Sequence, residues 1–231
     1  MIQPRLDGMI AISRYLADYY KEKLPTVCIP PLVDLKENKW YEIAEESHNG
    51  VRIAYAGSPG RNKDKLNLIM EALSQVEGIV FRFEVIGIDK EQYLRYYPEH
   101  SDLIEKMGEK VVFRGRVTHQ QALDHIKQAD FSMFVREINR VTMAGFPTKF
   151  AESISCGTPV LTNRTSDLDE YLVNGENGFW LTDDLNNSLM PILSLQTDRL
   201  HQMKEEMDRT AFDYRGYIES LRPLFVEKRI K

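Results

Sequence analysis

Short apolar runs alternate with amphipathic stretches along almost the whole chain, and this alternation limits the possible folds more than any single motif does. The runs are GMIAI (8–12), TVCI (26–29), VRIAYA (51–56), FRFEVI (81–86), KVVFRG (110–115), FSMFV (131–135), PVLT (159–162) and GFWL (178–181). Several are apolar at consecutive positions, the pattern of strands buried on both faces. Between them, residues 65–76 place Leu66, Ile69, Met70 and Leu73 on one helical stripe. Residues 119–129 do the same with Ala122, Leu123 and Ile126, and Thr118 stands ready as N-cap. Strands alternating with helices predict an α/β protein built on a Rossmann-like, doubly wound parallel sheet.

The 231 residues allow one large domain, or one domain with part of another. Residues 1–48 hold one β-α-β piece, with Ser13 capping a helix over 14–23, and this is too little to bury a core alone. The Pro30-Pro31 pair and the Glu- and Lys-rich segment 36–49 read as a linker. The organisation expected is therefore the tail of a neighbouring domain with its linker (1–48), an α/β domain (49–197), and a charged helical segment (198–231) that stays helical until Pro223. A net charge of −5 argues against a general nucleic-acid binder, which needs a basic face, but leaves room for a local phosphate pocket. Cys28 and Cys156 are far apart with no ligand-like spacing, and the five histidines form no metal pair. No apolar run reaches membrane-spanning length, and the charged start lacks the apolar stretch of an export signal. A cytoplasmic, metal-free protein is expected.

Ligands of open α/β sheets bind at the carboxyl ends of the strands, so the loops there carry the functional reading. After 51–56 comes GSPGRNKDK, a glycine-containing turn with Arg61, Lys63 and Lys65 at a helix entrance. Such a loop can hold a phosphate or can simply be solvated. The spacings of the dinucleotide fingerprint and of the P-loop do not occur in it. Gly87 follows 81–86 and permits close backbone approach, while Arg116 and Val117 follow 110–115. The long loop 136–147, REINRVTMAGFP, brings Arg136, Glu137 and Arg140. Gly145-Phe146-Pro147 then leads into a helix over 148–156, with Pro147 suited to the first helical position and Gly157 closing the helix. Lys149 falls on the first turn, the positive end of the helix dipole, where an anion is favoured and a lysine is not. A diphosphate at the free N–H groups would account for it; an i,i+3 surface pair with Glu152 is the alternative.

Taken together, SPGRNKDKLNLIMEAL, FEVIG, VVFRGRVTHQQALDHIKQADFSMFV, GFPTKFAESISCGTPVLT and DLDEYLVNGENGFWL resemble the donor-binding half of the group 1 (family 4) glycosyltransferases. The upstream IAISRYLADYY and IPPLVD resemble the end of that family's acceptor domain and the crossing into the donor domain. The resemblance implies a GT-B fold, two Rossmann-like domains facing a cleft, of which this chain is mainly the C-terminal half. It implies hexosyl transfer from a nucleotide-diphosphate sugar, with retention and without metal or cofactor, in glycan or polysaccharide biosynthesis. The glycan or lipid-linked acceptor would bind a missing N-terminal domain, so the chain alone is expected to bind donor weakly and not to transfer sugar. Family members also sit at the inner membrane face. The oligomeric state stays open.

Residue by residue, the resemblance assigns Arg61 and Lys63, with Lys65 as the other candidate, to the phosphates, and Glu152 to the donor ribose. Gly145, Phe146, Pro147, Thr148 and Lys149 would line the sugar diphosphate. Gly87, Arg116, Val117, Arg136 and Arg140 are further candidates. Two positions depart from the family: the first glutamate of its paired-glutamate motif falls on Ala144, and the arginine often found after the first strand's glycine is Ser58. A GT-B epimerase or phosphorylase would need a carboxylate–histidine set or a cofactor lysine, and neither can be placed. A non-catalytic binding module with an acidic docking surface is the reading from a different class.

Overall fold

The computed structural model describes residues 6–44, 46–58 and 63–226. Near the start, β1 (Met9–Ala11), α1 (Arg14–Tyr20) and β2 (Thr26–Cys28) form a β-α-β unit with its own two-stranded parallel sheet. The remaining strands build one six-stranded sheet: β3 (Val51–Ala56), β4 (Phe81–Ile86), β5 (Val111–Gly115), β6 (Phe131–Phe134), β7 (Val160–Thr162) and β8 (Gly178–Trp180). Their order is β5-β4-β3-β6-β7-β8, and every pairing is parallel. The expected doubly wound parallel sheet is present. Helices α2 (Leu66–Ser74), α3 (Lys90–Tyr96), α4 (Ser101–Met107), α5 (His119–Gln128), α6 (Arg140–Ala144), α7 (Thr148–Ser155), α8 (Leu185–Leu193), α9 (Thr197–Glu206) and α10 (Pro223–Val226) connect and cover it.

The core explains why these segments settle where they do. Every residue of β6 is buried, as a strand covered on both faces requires. Leu66, Ile69, Met70 and Leu73 of α2 lose all contact with solvent against Ile53, Tyr55, Phe83 and Phe131. Each large side chain buried this way contributes roughly 2–3 kcal/mol. β4 and β5 depart from the expected two-sided burial. Phe81, Phe83 and Val85 face the core, whereas Arg82 and Arg114 are exposed on the other face around Glu84. α5 packs on β3 and leaves that edge of the sheet to charged groups.

Several boundaries move. α1 stops at Tyr20, α2 covers only Leu66–Ser74, and α5 ends at Gln128, because the flanking residues cap or unwind the last turn. Pro147 is the extended residue before α7 (φ −73°, ψ 104°) and not its first helical residue. Segment 136–147 is not a plain loop, since Asn139 caps the short α6 with its side chain. Nor is 36–49 a plain linker. A 3₁₀ turn, Asn38–Trp40, buries Trp40 against Leu123, Ile126 and Cys156. Beyond α9 the chain runs in successive 3₁₀ turns, and Pro223 opens α10 instead of ending helical structure. This last segment folds back. Val33 N donates to Phe212 O (2.9 Å), Tyr214 N donates to Val33 O (3.0 Å), and Leu224 lies against Gly8.

Candidate functional site

The chain runs outward from β3 through β4 to β5, then returns to the other side of β3 with β6. The loops leaving the carboxyl ends of β3 and β6 therefore diverge, and such a switch point leaves a crevice in an open sheet. The two loops meet through an isolated antiparallel bridge between Asp64 and Arg136, and Lys65 N donates to Val135 O (2.7 Å). Asp64 is buried at this junction. Its carboxylate accepts hydrogen bonds from Tyr55 Oη (2.7 Å), Arg136 Nε (3.0 Å) and Lys149 Nζ. Lys149 arrives from the first turn of α7 and lies 4.1 Å from the centre of the Tyr55 ring, a cation–π contact. Asn163, just past β7, holds the Arg136 backbone from both sides, accepting from its N–H (2.9 Å) and donating to its carbonyl (2.7 Å).

Two cations on one carboxylate leave this junction net positive. Burial pulls the Lys149 ammonium down to about 8, because Asp64 only partly offsets the lost hydration while Arg136 and Lys63 repel the charge. Burial would raise the Asp64 carboxyl, but Lys149, Tyr55 and Arg136 outweigh it and hold the group below its ordinary value. Lys149 thus has a partner within the protein, so its awkward place at the dipole end does not by itself require a bound phosphate. The surface pair with Glu152 does not form. Glu152 Oε1 instead lies 3.0 Å from His119 Nε2 at the start of α5.

The remaining candidates spread along the same rim. Lys65 pairs with Glu137 (2.8 Å) at the mouth of the junction. Gly87 has φ +115°, and a Cβ there would stand 2.3 Å from the Gly57 carbonyl oxygen, so only glycine fits between the ends of β3 and β4. Arg116 is exposed, while Val117 packs half-buried against Ala54, Ile86 and Ala129. Phe146 turns its ring inward onto Phe150, Tyr171 and Phe212, which leaves only its backbone for a ligand. Thr148 and Arg140 are exposed, Pro147 is buried, and Gly145 is half-buried after α6. The Ala144 carbonyl accepts from Ser13 Oγ (2.8 Å), tying this rim to the β1–β2 unit. Arg61 lies outside the described residues. Sequence reasoning missed Asp64 and Tyr55. The one available signal was an aspartate set between Lys63 and Lys65. Among the described residues no group of His, Cys, Asp and Glu could hold a metal ion, and no helix is long and apolar enough to cross a membrane.

The family model described as glycosyl transferases, group 1, matches residues 50–198. Solved structures share the architecture. Sucrose-phosphate synthase from Thermosynechococcus elongatus superposes with a TM-score of 0.70 at 18% identity, covering 98% of this chain and 59% of its own. HepE from Anabaena, in complex with UDP and glucose, gives 0.70 at 17% identity, covering 96% of this chain and 63% of its own. The lipopolysaccharide outer core galactosyltransferase WaaB, in its apo form, gives 0.68 at 17% identity, covering 96% and 62%. At these identities the likeness is one of fold, and the chain spans about three fifths of the length of each. No curated protein sequence matches it.

Proposed function

The chain belongs to the group 1 glycosyltransferases, and from that premise we propose that its switch-point crevice binds the diphosphate of a nucleotide sugar as the donor half of a GT-B enzyme. The observation that carries this reading is the buried junction of Asp64, Arg136 and Lys149, net positive and placed at the start of α7. A glycosyl donor leaves behind a nucleoside diphosphate, and charge developing on that leaving group is stabilised by fixed cations and by N–H groups at a helix start. Lys149 and Arg136 supply the fixed cations, Lys63 stands in the adjoining loop, Lys65 guards the mouth with Glu137, and Arg61 is the further phosphate candidate by sequence. The backbone from Gly145 to Thr148 lies along the diphosphate. Glu152 keeps one carboxylate oxygen for the ribose diol, while Gly87, Arg116 and Val117 at the ends of β4 and β5 border the nucleoside.

Ala144 cannot contact the sugar as a glutamate would. With Arg136 committed to Asp64 and Glu137 paired with Lys65, the exposed Arg140 is the nearby group left for that role. Residues 1–48 act in this reading as the tail of an acceptor-binding domain with its linker. Ile10 and Ile12, exposed around β1, are the surface such a domain would cover. The described chain past α9, through Leu224, returns to that unit. Transfer of a hexosyl group to a glycan or lipid-linked acceptor, with retention and without a metal, would then require that domain, and the chain alone would bind donor without turnover. A location at the cytoplasmic membrane face would fit such an acceptor.

HepE was solved with UDP, which makes UDP the first ligand to test against GDP and ADP. Ligand at 100-fold excess over Kd should stabilise the chain by about 2.7 kcal/mol in thermal unfolding. Lys149→Ala and Glu152→Ala should each weaken calorimetric binding about tenfold or more, the loss of one charge-assisted hydrogen bond. Wild-type affinity in both variants would overturn the assignment.

A further inference from the structure

We infer that Asp64 is the positioning residue of this site, a clamp that holds the cations of two separate strand-end loops in one arrangement before an anionic ligand arrives. The inference rests on the donor-site reading and adds a residue which that reading does not use. Arg136 reaches the clamp from the end of β6 and Lys149 from the start of α7, and each takes a different carboxylate oxygen: Arg136 Nε binds Oδ1, Lys149 Nζ binds Oδ2. Tyr55 Oη adds a second bond to Oδ2 from the body of β3 (2.7 Å), so the carboxylate cannot rotate without breaking a bond to the sheet. Backbone contacts secure the two ends, through the Asp64–Arg136 bridge and the Asn163 bracket on Arg136. Nothing in the local sequence requires an acid here, and it stands between Lys63 and Lys65. An acid inside an anion site lowers its net charge, so its presence calls for a compensating gain.

That gain is the charge state and aim of Lys149. The groups facing its ammonium are Asp64, the Tyr55 and Phe134 rings, Arg136 and Lys63; Asp64 is the one anion among them, and the ring faces add a weaker pull toward the charged form. The Lys65–Glu137 pair lies just outside them and is already neutralised. Burial lowers Lys149 to about 8 even with Asp64 in place. Without the carboxylate, only the ring faces would oppose burial and two like charges, and the lysine would lose its proton at neutral pH. Counting charges alone says that Asp64→Asn makes the site more positive and binds a diphosphate more tightly. The clamp says the reverse, because the substitution discharges the lysine that does the binding.

The test uses the full 231-residue chain, Asp64→Asn, Asp64→Glu and Tyr55→Phe. Folding of each is first confirmed by circular dichroism and cooperative unfolding. The Lys149 ammonium is titrated without ligand by NMR of its side-chain carbon, and UDP affinity is measured by calorimetry from pH 6.5 to 9. The expected result is a Lys149 midpoint near 8 in the wild type, at least one unit lower in Asp64→Asn, and largely restored in Asp64→Glu. UDP affinity should fall over the same pH range in each protein, by up to about tenfold for each unit of displacement. Tyr55→Phe keeps the carboxylate charge, so it should leave the midpoint in place and lower affinity at every pH alike. A midpoint unmoved in Asp64→Asn, or tighter UDP binding by that variant at pH 7, overturns the inference. A displaced midpoint in a chain whose wild type binds none of UDP, GDP and ADP upholds the clamp and overturns the donor-site reading.

Discussion

Gly87→Ala should cost this protein about 3 kcal/mol of stability, and the number can be built from the geometry at the ends of β3 and β4. Gly87 has φ +115°, a region that an L side chain enters at roughly 1–2 kcal/mol. A Cβ there would also sit 2.3 Å from the Gly57 carbonyl oxygen and 2.8 Å from its carbon. Both are backbone atoms held by the Gly57 N–H bond to Ile86 O (2.9 Å), so they cannot swing aside. Forcing atoms into packed space adds roughly 1–3 kcal/mol. Gly78 is the control. It shares a positive φ, +71°, but has nothing within 4 Å of its would-be Cβ. Gly78→Ala should therefore carry only the conformational part, about 1 kcal/mol. Equilibrium urea unfolding, followed through Trp40 and Trp180, reads both. With a slope of about 3 kcal/mol per molar, the midpoint should fall by about 1 M for Gly87→Ala and about 0.3 M for Gly78→Ala. Equal losses in the two variants would show that backbone contact between the strand ends does not set the rim, and the reasoning would fail.

Two further outcomes are expected. Phe212 is fully buried among Phe146, Phe150 and Tyr171, with ring centres 5.8, 5.9 and 4.9 Å away, so Phe212→Ala should cost about 3–5 kcal/mol in thermal or urea unfolding. A loss below about 1 kcal/mol would mean that the returning C-terminal segment does not brace α7. Glu84 offers a pH test: burial would raise its carboxyl, but hydrogen bonds from His125 and Arg114 outweigh that and lower it to about 2. A depressed acid stabilises the fold above its ordinary range and loses that contribution as pH falls from 4.5 toward about 2. Glu84→Gln should lower the urea midpoint at pH 7 and flatten the acid decline between those values. An unchanged decline would place the acid sensitivity elsewhere.

Much of the fold was legible along the chain because its causes are local. Each strand is a compact apolar run, and a run of that kind pays for no other arrangement once turns bound it. Thr118 caps α5 as its spacing with Gln121 requires, and Gly157 ends α7 at φ +78°. What escaped was contributed from a distance. The polar segment 36–49 hid a tryptophan whose packing partners are Leu123, Ile126 and Cys156. The open face of β4 and β5 escaped because burial of a strand's second face depends on where α5 lands.

The site divides in the same way. Local rules alone marked the start of α7 as an unusual place for Lys149, since the helix dipole and its free N–H groups belong to a single stretch of chain. They could not name the partner. Asp64 lies 85 residues before Lys149 and meets it because β3 and β6 are neighbours at the point where the strand order reverses. The sequence by itself thus determined the strands, the Ser13 and Thr118 caps that open α1 and α5, and the family. Only the tertiary structure decided which charges face one another. A side chain's periodicity and capping are set by the few residues beside it, whereas the field at a buried ion is set by whatever the fold brings within a few ångströms.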